Sequence, residues 1–350
     1  MSYMVLRSAT SVTCQPVRID TYFAAMDAPN SDPRLKPTPD YGTLGPSTEL
    51  EQKTIPPGTF RSLRVLAVLI GILCALPFVA SGTVRAAWDE IAQLLSIKGK
   101  PKPASPALLS EHEIEGLDRA SAQSQAELLL ERAINHYNGA SDQIAARVDG
   151  WHGQLKMTPS LHSLFTTALN SNDLRVRAAA IEVDLAALNV PKTSASVDQF
   201  ATDAESSDQK TAVWGLWTLG LLGNRGVEPQ RAAQVLMAHV HDSNENIRYW
   251  AVEGLAYLGT NEVIPVLLQT FHDDPSPTIR ERAACGLAQS GMLSEEQRRT
   301  AIPELLNFAD DSSLDPQTHS WVYQALRDIT GQSLPNDPAS WRNWYSSHSS

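Results

Sequence analysis

The amino-acid sequence predicts an all-α fold, a right-handed α-solenoid of paired helices, on three observations. One segment recurs: AVWGLWTLG from Ala212, AVEGLAYLG from Ala251, AACGLAQSG from Ala283 and VYQALRDITG from Val322 align with Leu216, Leu255, Leu287 and Leu326 at one position. A fainter copy, RAAAIEVDLAAL from Arg177, places Val183 there as well. The copies return at roughly the 30–45 residue interval of two-helix repeats. Within a copy, Ile247, Ala251, Gly254, Leu255 and Leu258 share one helical face, and the small residues let a neighbouring helix come close. Each copy follows a cluster of Asp, Ser, Asn or Pro, namely SSD at Ser206, DSNEN at Asp242, DDPSP at Asp273 and DDSSLDP at Asp310. Those residues cap helices and make turns.

Taken in order, residues 1–60 are rich in Pro, Ser, Thr, Asp and Gly without apolar period, the pattern of a disordered arm. Val65 to Val84 is an uncharged run flanked by Arg61, Arg64 and Arg85, which predicts a transmembrane helix over 63–84. Small residues at Ala80, Ser81 and Gly82 leave open a cleaved signal and a secreted product. Charges adjoining the span favour the N-terminal arm inside the cell and the repeat domain on the extracytoplasmic side. An amphipathic segment from Trp88 to Leu95 and the Pro/Lys-rich linker KGKPKPASP complete residues 85–107. Helical spacing of Ile114, Leu117, Leu128, Leu129, Ile134 and Tyr137 opens an N-terminal helical cap over 108–170. The cap would cover the end of a repeat array over 171–333, and a tail over 334–350 carries Trp341 and Trp344.

Charge and cysteine usage exclude some classes. Residues 1–103 hold 11 Lys+Arg against 8 Asp+Glu, and residues 104–350 hold 17 against 31. A body that acidic repels phosphate backbones, so no nucleic acid is expected as a partner. The three cysteines, Cys14, Cys74 and Cys285, fall in three different regions, and no disulfide framework is expected.

DSNENIRYWAVEGLAYLG and DPSPTIRERAACGLAQSG resemble HEAT-like repeats of the short bacterial type also found in phycobilin lyases. The resemblance covers about residues 173–331. It implies that Arg248 and Arg280 correspond to the recurrent arginine of such repeats, which pairs with an acidic turn residue of a neighbouring unit, here Asp242 or Asp273. The tail is similar to ends in which tryptophans close the array.

Three constellations are candidates for chemistry. His239 and His241 point about 200° apart on a helix and cannot share a metal, while His241 and His272 fall at equivalent places and suit helix C-termini as cations. No metal or cofactor is expected. Cys285 sits on a small-residue helix as a packed thiol, and no phosphate loop or nucleophile elbow is present in the sequence, so no enzyme is expected. In the alignment above, Trp214 and Trp217 leave the apolar stripe. They are either covered, by a helix from Glu113 to Tyr137, or offered to a protein partner. The expected function is a non-catalytic, membrane-anchored protein-interaction scaffold. An enzyme or cofactor chaperone of the phycobilin-lyase type is the alternative.

Overall fold

The computed structural model describes residues 107–348. The expected arm, the span at 63–84 and the linker up to residue 106 lie outside the described residues. Among the described residues no helix is long and apolar enough to cross a membrane. All regular structure there is helical, apart from one isolated bridge between Leu108 and Asn138.

Four helices precede the repeats: α1 (Glu111–Leu117), α2 (Ala122–Ile134), α3 (Ala140–Arg147) and α4 (Pro159–Leu169). Ser110 opens α1 with a capping box to Glu113, and Gly139 supplies the left-handed turn into α3. Trp151, buried after α3, donates its indole N–H to Gln125 at 2.8 Å and ties that turn to α2.

Five helix pairs follow. Their first members are α5 (Leu174–Ala187), α7 (Gln209–Asn224), α9 (Glu245–Leu258), α11 (Pro277–Cys285) and α14 (Pro316–Thr330). Their second members are α6 (Ser194–Ala204), α8 (Pro229–His239), α10 (Val263–Asp273), α13 (Ile302–Asp310) and α15 (Pro338–His348). The fourth pair is longer than the others. There α11 runs on as a π-helical turn, Gly286–Ser290, and a short helix α12 (Glu295–Arg299) precedes α13. Asp173, Asp208, Asn244 and Asp315 cap the first members by accepting a backbone N–H, and Ser276 holds the same place before α11.

These N-caps fix a register that differs from the sequence alignment in α7 and α5. Counted from the cap, Leu255, Leu287 and Leu326 are eleventh, and so are Leu219 and Asp184, not Leu216 and Val183. The close contacts agree. A Cβ at Gly220, twelfth after its cap, would meet Gly254, tenth after its cap; Ala256, twelfth after its cap, lies 2.8 Å from where a Cβ on Gly286, tenth after Ser276, would be. A slip of three residues nearly preserves the face of a helix, and α7 is apolar on every side, so its pattern cannot distinguish the two alignments. Leu216, Leu255, Leu287 and Leu326 are all fully buried whichever register is used.

The correction changes the meaning of the tryptophans. Trp214, sixth after its cap, aligns with Trp250 and Trp321, while Trp217 takes the place of Glu253. Trp217 is only 2% exposed. Its ring meets Trp250 at 5.8 Å and Tyr257 at 4.8 Å, both edge-on, so its cover is α9 and not the helices between Glu113 and Tyr137. Trp214 is half-buried against the core.

The arginines pair across units, with different acids from those expected. Arg248 holds Asp274 at 2.9 Å and the Asp242 carbonyl at 2.9 Å; Arg280 holds Asp315 at 3.0 Å and the Asp274 carbonyl at 2.7 Å. Asp242 contributes a backbone oxygen here, and Asp273 faces His272 instead. A forked guanidinium can satisfy its own unit's turn and the next unit's carboxylate together.

Arg177 occupies the same fourth position in α5 and behaves otherwise. It takes the Ser171 carbonyl of its own turn at 2.5 Å, then reaches Gln289 and Gly291 carbonyls at 2.9 and 2.7 Å, at the end of the π-helical turn. Arg298 donates to Ala288, Gln289 and Gly291 from the other side. Burial, together with the charge of Arg177, lowers Arg298 to about 10.

Inside the first-member layer, Glu253 of α9 and Arg282 of α11 form an ion pair with both side chains 0% exposed. Arg282 also donates to Ser290 at 2.6 Å. Burial pushes the Glu253 carboxyl up, and the Arg282 charge pulls against it. Cys285 on the same helix is buried and disulfide-bonded, a departure from the packed thiol and the absence of disulfides that the sequence suggests.

The tail supplies the second helix of the fifth pair and packs on α13 of the fourth. Trp341 is fully buried with its indole N–H on the Pro335 carbonyl at 2.9 Å, and Arg342 reaches Asp310 of α13 at 2.6 Å.

Candidate interaction surface

The second helices of the pairs are amphipathic. In α10, Ile264, Leu267, Leu268 and Phe271 turn inward while Pro265, Gln269 and Asp273 are exposed; in α13, Leu305, Leu306 and Phe308 turn inward while Glu304, Asn307 and Asp310 are exposed. The two helices meet at Phe308, whose ring lies 6.0 Å from Phe271 and 4.8 Å from the His272 imidazole. Between them runs an open groove of about 920 Å³. Its floor is Ile264, Pro265, Leu268 and Phe308. Asn261, Gln269 and Asp273 form one wall, and Thr300, Glu304 and Asn307 form the other.

His272 and Asp311 close one end. The imidazole contacts Asp273 through Nδ1 at 2.5 Å and Asp311 through Nε2 at 2.9 Å, so a ring held by two carboxylates is best satisfied as the doubly protonated cation. Partial burial opposes that state, but the hydrogen bonds and charges of Asp273 and Asp311 prevail and raise the histidine above its ordinary value. Asp311 is correspondingly held low, first by the His272 hydrogen bond and then by those from Ser313. A second depression of about 200 Å³, lined by His241, Asp242, Arg248 and Asp274, shares Gln269 and Asp273 with the groove.

The sequence candidates are scattered relative to this groove. His272 lines it and His241 lines the smaller depression, while His239 is buried against Glu205 at 3.3 Å. Among the described residues no three His, Cys, Asp or Glu side chains are arranged to hold a metal ion. Neither Trp214 nor Trp217 lines the groove, and Trp217 presents no surface to a partner. Arg248 and Arg280 join neighbouring units. Sequence reasoning missed Glu304, Asn307 and Phe308, although the period of IPELLNFAD separates an apolar from a polar face and pointed to them.

Comparison with known proteins gives the same layering a family context. A model of the family described as HEAT repeats matches residues 197–288, from α6 to the π-helical turn after α11. No curated protein matches the chain. Over the matched segment the helix pairs are HEAT-like repeats, with the groove immediately beyond and partly within it.

Proposed function

We propose that this protein is a non-catalytic, membrane-anchored protein-interaction scaffold whose docking face is the groove between α10 and α13. One observation carries the reading: the groove is open, has an apolar floor and is walled by exposed polar side chains, whereas the Trp217 site is filled by its own neighbours. HEAT repeats generally mediate protein–protein interaction, and the acidic balance of residues 104–350 favours partners with basic contacts. The anchor rests on the uncharged run from Val65 to Val84, and the charges adjoining it favour the repeat domain on the extracytoplasmic side.

Affinity capture from membranes solubilised in uncharged detergent tests this. The wild-type chain should retain defined polypeptides that a Gln269→Arg/Glu304→Arg variant of equal helical content loses. Retention of the same polypeptides by the variant would move the docking face elsewhere. A purified protein that carries colour or metal would favour the lyase-like alternative. Recovery of the full chain in an alkaline carbonate wash would remove the anchor.

A further inference from the structure

We infer that the occupant of the α10–α13 groove is a short cationic amphipathic helix of a partner protein; this rests on the reading of the groove as a docking face. The floor selects the shape. The backbone groups of α10 and α13 are satisfied within their own helices, so neither offers an edge to which an extended peptide could add. A helix, by contrast, arrives with its own backbone bonds made and can set an apolar stripe on Pro265, Leu268 and Phe308. With 11 residues in α10, the floor runs about 16 Å at 1.5 Å per residue, three turns, which accommodates anchors at positions i, i+3 or i+4, and i+7.

The walls select the charge. Asp273, Glu304 and Asp311 line the groove against a single cationic side chain, His272, which two of those acids already share. Glu304 has no ion-pair partner among the described residues and accepts only a hydrogen bond from Asn307 at 2.9 Å. A Lys or Arg beside the apolar stripe would meet Glu304 on one wall while a second met Asp273 on the other. Charges so placed would set orientation and speed encounter.

The test uses the full chain in uncharged detergent micelles and three fluorescent 14-residue peptides: Leu at helical spacing with Lys elsewhere, the same with Glu for Lys, and a shuffled Leu/Lys peptide without the period. Anisotropy should report binding of the first peptide at least about tenfold tighter than either other. Its binding should weaken with added salt and by about tenfold in Gln269→Lys/Glu304→Lys. Equal binding of the Lys and Glu peptides would overturn the charge selection and leave the docking face standing. Binding of the Lys peptide unchanged in the double variant would overturn the proposed site. If the peptide bound only after deletion of residues 85–102, the occupant would be the chain's own amphipathic segment and the inference of a separate partner would fail. Failure of the docking face itself would show differently, as unchanged capture of polypeptides by the groove variant.

Discussion

The two layers of helix pairs treat charge in opposite ways. Between α9 and α11, Glu253 and Arg282 are sealed from water, while between α10 and α13 Asp273 and Glu304 stand open around an apolar floor. The sealed charges need each other, because either alone would be an unpaired ion in a medium that cannot solvate it. The open charges keep contact with water, so neither needs a partner to offset burial. The lesson is that a departure from the repeat among the first helices, such as Trp217, is absorbed by packing, whereas charges between the second helices stay accessible to water.

The sharpest way to break this contrast is at the sealed pair. Arg282→Ala should lower stability by about 3–5 kcal/mol, and joint replacement of Glu253 by Leu and Arg282 by Met should recover most of it. Denaturant titration of both variants decides: a small loss in the single variant would mean that water reaches the pair.

Aromatic and aliphatic truncation in the same layer comes next. Trp217→Ala should cost about 3–5 kcal/mol and Leu255→Ala about 2–5 kcal/mol, since both side chains are buried. A melting temperature unmoved by Trp217→Ala would return that side chain to the surface.

At the end of the groove the effect depends on pH. His272 is raised above 6.5, so its contribution is complete below that value and fades as pH climbs through the folded-state value. Asp311 is depressed below 3.8, so its contribution is complete above that and is lost as pH falls through its folded-state value. The stability gap between wild type and His272→Gln should therefore be widest between about pH 4 and 6.5 and should narrow above it. A pH-independent gap would show that the imidazole acts through its contact with Phe308 alone.

The smallest expected effect is in the open wall. Glu304→Gln should leave stability within about 0.5 kcal/mol, as for surface changes generally. A larger destabilisation would place Glu304 in the fold and take it out of the docking surface.

Much of the architecture was legible because helical period and turn chemistry are local. The DSNEN and DDPSP clusters announced the starts of α9 and α11, and the stripe from Ile247 to Leu258 announced the buried face. The register of α7 was not legible, because AVWGLWTLGLL is apolar all round and a near-turn slip costs the pattern nothing. That slip made Trp214 look exceptional, when it repeats Trp250 and Trp321; Trp217 remains a departure, but one buried in the place of Glu253. The arginine pairing was legible in kind, an acid from a neighbouring turn, but choosing Asp274 and Asp315 over Asp242 and Asp273 required the three-dimensional offset between units. The groove depends on how two helices nearly thirty residues apart in sequence meet at Phe308, which no periodicity records.

Arg177 gives the array a property that linear stacks lack. In an open stack each unit leans only on its neighbours, so the ends fray first and the middle survives them. Here the guanidinium of the first unit grips carbonyls at the end of the fourth unit's leading helix, more than a hundred residues away, and Arg298 grips the same carbonyls. A stack fastened back on itself cannot lose its first unit without exposing the end of the fourth. Amide exchange in α5 and in α11 should then share one opening free energy, and the chain between them should open as a single cooperative block.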